Sequence, residues 1–507
     1  MKGKVISGEE AARLIKNNDL VAIEGSGGGV TEPSYLLKML GERYLKEAAP
    51  CDLTLYHCNG IGDKCEIGTD YLAHEGLVKR DIAGHWAMAP KMAQLAYEEK
   101  IEAYNFPQGV LSQMYPAIAG NKPGVFTKIG LQTFIDPRIE GGRMNRRATE
   151  ELVKLIEIDG EEWLFFPKFK IDVCLIRGTT ADTDGNITLE QEAAILEGIS
   201  IAQAAKNSGG IVIAQVKYLA ERGTLNAQEV RIPGIYVDYI VVDPQQKQTC
   251  EAEYNPALCG AVKVPLERIP PLPLDERKVV ARRAARELFP GAVVNLGVGM
   301  PAGVAAVAAE EGLLDQLTFT VEQGLIGGVP AGGIIFGASY NPTAMIDQTH
   351  QFNFYDGGGL DIAFLGMAQA DRHGNVNSSK TGKMLAGCGG FINITQNAKK
   401  VVFCGTFTAK GLQEEVAGGA LRIVKEGQIR KFNAMVDQIT FSGNFAKSIH
   451  QPVLYVTERA VFELTAEGLV LREIAPGIDL EKDVLAMMEF RPLIAPDLKE
   501  MDPRFFR

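Results

Sequence analysis

The residue in this sequence whose type and setting best suit covalent chemistry is a glutamate that ends a β-prone run. Glu322 follows Thr318-Phe-Thr-Val321 and precedes Gln323 and Gly324. The run predicts a strand and the glycine an immediate turn, so that the carboxylate would project from the tip of the strand. A glutamate has a reference pKa of about 4.3 and is ionised at neutral pH, so it can attack a carbonyl without an accessory base. An isolated Glu-x-Gly is more often a solvated residue before a turn, and only its neighbours make it specific.

Glycine-rich segments accompany this glutamate along the chain. Gly327-Gly-Val-Pro-Ala-Gly-Gly333 follows it, and this composition predicts an open loop, not a packed element, against which a bulky ligand can lie. Asn295-Leu-Gly-Val-Gly-Met-Pro301 follows a predicted strand, and Gly387-Cys-Gly-Gly390 lies downstream. Phe106-Pro-Gln-Gly109 adds a side-chain amide from the first half of the chain. Taken alone, Gln108 would be an ordinary turn residue.

Together these segments resemble the class I CoA-transferases, which use a glutamate, and among them the single-chain acetate and propionate CoA-transferases. The resemblance covers nearly the whole chain. It implies that Glu322 is the nucleophile and that Gln108 and the backbone of Gly390 stabilise the oxyanion. The residues expected to contact CoA are Gly297, Val298, Gly299, Met300, Gly389 and Gly390. The first glycine turn, Gly25-Ser-Gly-Gly-Gly29, departs from the Gly-Gly-Phe of two-subunit relatives, which leaves its role open.

Such an enzyme moves CoA from an acyl-CoA to a carboxylic acid in two half-reactions of a ping-pong mechanism. The resemblance implies that Glu322 first forms an acyl anhydride and then a glutamyl-CoA thioester, which the second acid resolves. Holding the carboxylate in place is equivalent to about 7 to 11 kcal/mol of effective concentration, and each oxyanion donor contributes about 3 to 4 kcal/mol. CoA is then a substrate, and no permanently bound cofactor is expected. The expected acids are short (acetate, propionate or butyrate), with hydroxy and 3-oxo acids left open.

Other functions are weighed against this one. An acyl-CoA hydrolase on the same scaffold would admit water to the same intermediates, and a 3-oxoacid CoA-transferase would differ only in its acid, so both stay open as alternatives. A dinucleotide-dependent oxidoreductase is disfavoured, because Gly297-x-Gly299-x-x-x-Gly303 misses the dinucleotide spacing and Pro301 lies in the turn. A non-enzymatic binding protein would form no covalent CoA adduct.

A repeated pattern predicts the architecture that positions these residues. Asp361 lies 189 residues after Asp172, and the pattern Ala-Asp-x-x-Gly-Asn ends at Asn186 and again, 189 residues later, at Asn375. We therefore expect an α/β fold of two related open, mainly parallel domains, with the active site in the cleft between them. The predicted boundaries are 1–262 for the N-terminal domain, 263–274 for a proline-rich linker and 275–507 for the catalytic domain. Asp275 is the predicted N-cap of the first helix after the linker.

Composition limits the classes of partner. The net charge of the 507-residue chain is −11, which argues against nucleic acid and anionic membranes as partners. No signal peptide is recognised at the N-terminus, and no apolar run approaches the roughly 18 to 20 residues of a membrane span. We expect a cytoplasmic protein, and the resemblance implies a homo-oligomer, with a tetramer favoured. The eight cysteines follow no zinc spacing, so free thiols and no metal are expected. Lys380 or Lys383 is the predicted contact for a CoA phosphate.

Overall fold

The computed structural model of the protein describes residues 4–265, 272–382 and 384–507. The chain forms two compact units. The first unit comprises Met1–Val264, Val321–Asn353 and Lys383–Asn393, and the second comprises Pro265–Thr320, Phe354–Gly382 and Ile394–Arg507. Two segments from beyond residue 275 thus belong to the first unit. The division into 1–262, 263–274 and 275–507 is linear in the sequence and stays a prediction, and residues 266–271 of its linker lie outside the described residues.

The bounds of the regular elements in the described residues are as follows. The α-helices are α1 (Gly8–Leu14), α2 (Ser34–Glu47), α3 (Pro90–Tyr97), α4 (Gln108–Ala119), α5 (Gly198–Asn207), α6 (Glu276–Ala285), α7 (Gly303–Glu310), α8 (Gln348–Asp356), α9 (Phe391–Asn397) and α10 (Gly443–Ser448). The strands of the first half are β1 (Leu20–Ile23), β2 (Leu53–His57), β3 (Val78–Ala83), β4 (Glu102–Asn105), β5 (Gly124–Thr127), β6 (Lys154–Ile158), β7 (Glu161–Pro167), β8 (Val173–Asp182), β9 (Ile187–Thr188), β10 (Ile211–Ala220), β11 (Val230–Ile232) and β12 (Tyr239–Val242). Those that follow are β13 (Val293–Leu296), β14 (Thr318–Val321), β15 (Leu325–Ile326), β16 (Val329–Pro330), β17 (Ser339–Tyr340), β18 (Ala344–Met345), β19 (Ile362–Gly366), β20 (Gln369–Asp371), β21 (Val376–Asn377), β22 (Lys380–Thr381), β23 (Met384–Leu385), β24 (Val401–Cys404), β25 (Thr408–Ala409), β26 (Gln413–Ala417), β27 (Ala420–Lys425), β28 (Ile429–Arg430), β29 (Phe432–Asn433), β30 (Val453–Val456), β31 (Ala460–Thr465), β32 (Gly468–Ile474) and β33 (Leu493–Glu500).

A mainly parallel sheet forms the centre of the first unit. Strands β4, β3, β2, β1, β8, β10 and β12 lie side by side in that order, each parallel to the next. The short strands β9 and β11 add an antiparallel extension to β8. Val21, Ala22 and Ile23 of β1 are all buried, which is typical of a parallel strand with both faces covered.

The second unit has a sheet of the same kind. Strands β14, β13, β19, β24 and β30 are parallel neighbours in that order. The sheet then continues through β31 and β32, which are antiparallel, and β33, which is parallel to β32. This sheet places the residues that follow β13, β19 and β24 at one edge, because the carboxyl ends of parallel strands meet there.

The predicted duplication is visible in matching hydrogen bonds of the two sheets. The carboxylate of Asp172 accepts the N–H of Leu20, the first residue of β1, at 3.0 Å. The carboxylate of Asp361 accepts the N–H of Val293, the first residue of β13, at 2.9 Å. In each unit an aspartate just before one strand therefore fixes the start of the neighbouring strand.

The turns in the second repeated pattern also match. The carboxylate of Asp182 accepts from the backbone and the side-chain amide of Asn186, both at 2.9 Å. Asp371 accepts from the same two groups of Asn375, at 3.1 and 3.0 Å. The identical spacing in the two copies thus encodes the same aspartate-centred turn. The predicted α/β fold with two related domains is confirmed.

Local predictions agree with the structure at several points. Asp275 caps α6 by accepting the N–H of Lys278 at 3.1 Å. All eight cysteines are free, and four of them are buried. Within the described part of the chain, no helix combines the length and the apolar character required to span a bilayer.

Candidate active site

Glu322 lies where β14 ends, as the sequence predicts. It is the residue directly after Val321, and only 7% of its surface is exposed. The chain turns at Gly324, which has a positive φ of 96° and donates its N–H to the Val321 carbonyl at 3.0 Å. A Cβ at Gly324 would overlap the carbonyl oxygen of Ile346. Glycine is therefore required for the turn that places the glutamate at the strand tip.

The segment after Glu322 is packed in its first part and open in its last. Gly332 and Gly333 are exposed, and no atom lies within 4 Å of a Cβ position at either glycine. Val329 and Pro330 pair with Ser339 and Tyr340 as a short antiparallel ladder. Ala331 is buried in an apolar cluster whose members are Val30, Ala193, Ala194, Leu196, Leu258, Ala331, Ile335 and Ala338. The glycines of the segment allow this close packing, because the apolar residues between them supply the buried surface.

The first glycine turn holds this segment in place. Gly28 has a φ of 71°, and a Cβ there would lie 2.7 Å from the carbonyl oxygen of Ile334. The N–H of Gly28 donates to the Gly62 carbonyl at 2.8 Å. Ser26 accepts a hydrogen bond from Nε2 of Gln323 at 3.3 Å. The turn whose role the sequence left open thus contacts the residue next to Glu322 and the loop beyond it.

Gln108 is buried at the start of α4 and makes three hydrogen bonds within the first unit. Its backbone N–H donates to the Gly389 carbonyl at 2.9 Å. Its side-chain Nε2 donates to Oδ1 of Asn59 at 2.5 Å and to Oε1 of Gln348 at 3.2 Å. Both hydrogens of the side-chain amide are thus engaged with protein acceptors. Asn59 in turn donates from Nδ2 to the Gly25 carbonyl at 2.9 Å.

The loop that contains Gly389 and Gly390 is fixed beside Gln108. Gly389 has a φ of 51° and donates its N–H to the Gly84 carbonyl at 2.7 Å. The N–H of Cys388 donates to Oδ1 of Asn105 at 2.8 Å. The N–H of the buried Gly390 has no partner among the described residues. Orphaned buried N–H groups are rare in proteins, so this donor is available to a ligand.

No pattern in the sequence indicates Gln348, which the fold brings next to Gln108. Gln348 is fully buried at the start of α8, and its backbone N–H donates to the Leu196 carbonyl at 2.9 Å. Its side-chain Nε2 has no hydrogen-bond partner in the part of the chain that the structure describes. It belongs to no recognisable motif, so only the tertiary structure reveals it.

Comparison with known proteins identifies the family. A family model described as coenzyme A transferase matches residues 5–243. The caffeate CoA-transferase of Acetobacterium woodii is 48% identical over 511 residues, which cover 99% of this chain and 97% of that protein. The chain belongs to the coenzyme A transferase family.

Other members of this family agree in sequence and in structure. The acetate CoA-transferase YdiF of Escherichia coli K12 is 45% identical over 503 residues, covering 99% of this chain and 95% of that protein. The crystal structure of YdiF from Escherichia coli O157:H7, in a thioester complex with CoA, matches with a TM-score of 0.95 and 44% identity, covering 100% of this chain and 96% of that one. The resemblance predicted from the sequence is confirmed, and the protein is an enzyme that transfers CoA between an acyl-CoA and a carboxylate.

Burial shifts the pKa of two titratable groups in the first unit of this CoA-transferase, one next to Leu196 and one beside Gly389. Burial raises the pKa of Glu197, which follows Leu196, to about 8. Burial lowers the pKa of His85 to about 4, and the ring of His85 would lie 3.8 Å from a Cβ on Gly389.

The predicted CoA loop Gly297–Met300 belongs to the second unit, whereas Gly389 and Gly390 belong to the first. The N–H of Gly297 donates to the Phe364 carbonyl at 2.8 Å. Gly299 has a φ of 85° and no atom within 4 Å of a Cβ position, and Val298 is 57% exposed. This loop of the CoA-transferase is therefore open on one side.

The two predicted lysine contacts for a CoA phosphate stay predictions. Lys380 is half-buried in the two-residue strand β22, and Lys383 lies outside the described residues. Among the described residues, no group of three or more His, Cys, Asp and Glu side chains is arranged to hold a metal ion.

Proposed function

We propose that this CoA-transferase works by a ping-pong mechanism in which Glu322 carries CoA as a glutamyl thioester. The observation that supports the proposal most directly is the unpartnered, buried N–H of Gly390 beside Gln108, in the same compact unit as Glu322. A carboxylate at a strand tip and a buried donor without a protein partner are the two groups that the mechanism requires.

Two routes, each made of hydrogen bonds and short steps along the chain, connect Glu322 with Gln108 within the first unit. In the first route, Gln323 donates to Ser26, and the preceding Gly25 accepts from Asn59, which accepts from Gln108. In the second route, the Gly324 carbonyl accepts the N–H of Ile346 at 2.8 Å. Two residues further on, Gln348 accepts from Gln108. Both routes support a placement of the nucleophile and the donors around one reacting carbonyl.

The chemistry proceeds by exchange at acyl carbons. A carboxylate oxygen of Glu322 attacks the acyl-CoA carbonyl, and the C–S bond breaks to release CoA thiolate and leave an acyl-glutamyl anhydride. The thiolate then attacks the glutamyl carbonyl, forming the glutamyl-CoA thioester and releasing the first acid as its carboxylate. The second acid reverses both steps, so no proton is gained or lost overall. Each step passes through an oxyanion, for which the Gly390 N–H is the proposed donor, together with Gln108.

The proposed acids are acetate and other short-chain carboxylates. The support comes from the acetate CoA-transferases YdiF, which are 45% identical to this chain. A second candidate is caffeate, because the caffeate CoA-transferase of Acetobacterium woodii is similar over the whole chain. Competition between acetate, butyrate, acetoacetate and caffeate for one acyl-CoA donor, analysed as the ratio of kcat/KM values, distinguishes these acids.

Intact-protein mass spectrometry after incubation with acyl-CoA alone tests the mechanism. The expected result is an increase in mass by CoA less one water, localised to Glu322 by peptide analysis and absent from Glu322→Ala. Replacement of the exposed Glu311 by Ala is the control and leaves the adduct in place. An adduct on another residue, or full transferase activity of Glu322→Ala, contradicts the proposal. Release of free CoA without an acceptor acid indicates the hydrolase alternative.

Assembly and location complete the proposal. A homo-oligomer, with a tetramer favoured, and a cytoplasmic location stay predictions, and light scattering during size-exclusion chromatography measures the assembly. A monomeric, fully active peak contradicts the predicted oligomer.

A further inference from the structure

The topology of the second unit marks a ligand site at one edge of its sheet. From β13 the chain passes to β14 on one side and then crosses to β19 on the other side. In open parallel sheets such a change of direction leaves a crevice at the carboxyl ends of the two strands, where ligands bind. The residues that border this crevice are Gly297–Met300 after β13, and Gly366 and Met367 at the carboxyl end of β19.

The corresponding point of the first unit lies between β1 and β8 and is filled by protein groups. The N–H of Arg177 donates to Oε2 of Glu24 at 2.8 Å, and the guanidinium donates to the Gly29 carbonyl at 3.0 Å. In the second unit the crevice is open at Gly299. The backbone N–H groups of Val298 and Met300, like that of Gly299, have no partner in the described part of the chain. The crevice of the second unit thus presents backbone donors that the described residues leave unengaged.

A lysine ammonium lies at this open edge. Nζ of Lys431 donates to the Met367 carbonyl at 3.4 Å, and it would lie 3.3 Å from a Cβ on Gly405, the residue after β24. Among the described residues, Lys431 makes no ion pair within 4 Å. Glu458 attracts it electrostatically, but the carboxylate of Glu458 already accepts from Arg459 and from the N–H of Phe407, both at 2.8 Å.

Burial of the charged Lys431 ammonium is unfavourable in free energy unless an anionic group lies beside it. Burial lowers the pKa of Lys431, because the charged form has lost water without gaining a carboxylate partner. A single long hydrogen bond to a carbonyl does not offset that loss. An anionic ligand at the edge would offset it, and the neighbouring unpartnered amides offer further donors of the kind that bind phosphate.

We propose that Lys431 binds a phosphate group of CoA at the carboxyl edge of the second sheet, beside the Gly297–Met300 loop. The inference rests on the proposed CoA binding by that loop and deepens it, and it adds Lys431 to the predicted phosphate contacts Lys380 and Lys383. CoA carries a 3′-phosphate and a diphosphate, and both present the same charged oxygens to an ammonium. The experiment therefore uses donors that lack one or both of these groups.

The test compares wild type with Lys431→Met on three donors: acyl-CoA, acyl-dephospho-CoA, which lacks the 3′-phosphate, and acyl-pantetheine, which lacks both phosphate groups. Loss of a charged hydrogen bond predicts that kcat/KM for acyl-CoA falls by about 10- to 100-fold. If the variant and wild type become equal on acyl-dephospho-CoA, the ligand is the 3′-phosphate. If they become equal only on acyl-pantetheine, it is the diphosphate. An equal loss on all three donors, or no loss on acyl-CoA, overturns the proposal.

Two further variants control for charge and folding. Lys399 pairs with Asp361 at 2.8 Å and precedes β24, so it lies at the opposite edge of the same sheet. Lys399→Met should therefore leave kcat/KM for each of the three donors at its wild-type value. Lys431→Arg keeps the charge and should retain most of the activity on acyl-CoA. Without ligand, Lys431→Met should melt no lower than wild type, because it removes an unpaired, largely buried charge. If the Met variant does not fold, Lys431→Gln takes its place in the same comparison.

Failure of this inference is separable from failure of the proposed mechanism. At saturating acyl-CoA, Lys431→Met should still form the adduct on Glu322, since the nucleophile is untouched. If no adduct forms in wild type either, the thioester mechanism is wrong. Calorimetric binding of free CoA and dephospho-CoA to wild type and Lys431→Met then still decides whether Lys431 contacts phosphate.

Discussion

Gln108 donates from Nε2 to Oε1 of Gln348 at 3.2 Å, and this contact leaves the amide nitrogen of Gln348 buried without a partner among the described residues. Because Nε2 of Gln108 also donates to Asn59 at 2.5 Å, it must release one acceptor before it can donate to an oxyanion. In this pair of glutamines, the side-chain amide of Gln108 donates both of its hydrogens to protein acceptors, whereas the side-chain amide of Gln348 donates neither to a described residue. We expect both to affect the rate, by different amounts.

Replacement of Gln108 by Leu removes the proposed side-chain donor and puts an apolar side chain of similar size in its place. The loss of one oxyanion donor predicts a fall in kcat of about 100- to 1,000-fold. Steady-state kinetics with acyl-CoA and acetate measure it. A change confined to KM would contradict the role, because it would show that Gln108 binds the ground state and the transition state equally.

Gln348→Leu removes the acceptor of Gln108 and the free donor together. We expect a fall in kcat of about 10-fold, smaller than for Gln108→Leu, because the Gln108 amide remains and loses only its orientation. The melting temperature should change little, since a buried amide nitrogen without a partner is replaced by an apolar group. A larger loss of rate than in Gln108→Leu would show that Gln348 itself is the main donor.

The parts of the fold that were predictable are those whose interactions are short in sequence. Asp182 and Asn186 are four residues apart, as are Asp371 and Asn375, so the spacing alone encodes the turn. Glu322 at the tip of β14 follows from a β-prone run and one glycine. In such cases the local pattern and the final structure depend on the same contacts.

The parts that were not predictable depend on contacts distant in sequence. Gln108 and Gln348 are separated by 240 residues, and no motif marks their pairing. The burial of Ala331 in the Gly327–Gly333 segment depends on Val30 and Leu196 of the first half of the chain, which composition cannot reveal. For the same reason the compact units do not follow linear ranges.

Gly28→Ala tests whether the first glycine turn supports the segment after Glu322. A non-glycine residue at a φ of 71° costs about 1 to 2 kcal/mol, and the new Cβ would also lie 2.7 Å from the Ile334 carbonyl. We expect a lower melting temperature and a fall in kcat, as the loop moves and disturbs Glu322.

Gly223→Ala is the matched control for that change. Gly223 has a φ of 72°, and no atom lies within 4 Å of its Cβ position, so this variant bears the backbone strain without the clash. We expect a modest fall in melting temperature and unchanged kinetics. Equal falls in kcat for Gly28→Ala and Gly223→Ala would show that contact with the loop after Glu322 does not cause the fall.

Glu197 makes the stability of the enzyme depend on pH in a definite direction. Burial raises its pKa from 4.5 to about 8, so between these pH values the unfolded chain loses this proton while the folded chain keeps it. The contribution of the protonated carboxyl to stability is therefore complete below pH 4.5 and falls as the pH rises towards 8. Glu197→Gln keeps a neutral side chain of the same shape and cannot ionise. We expect the melting temperature of Glu197→Gln, relative to wild type, to rise steadily between pH 4.5 and 8 and to level off above that range. Parallel curves for the two proteins would mean that Glu197 is already ionised in the folded state.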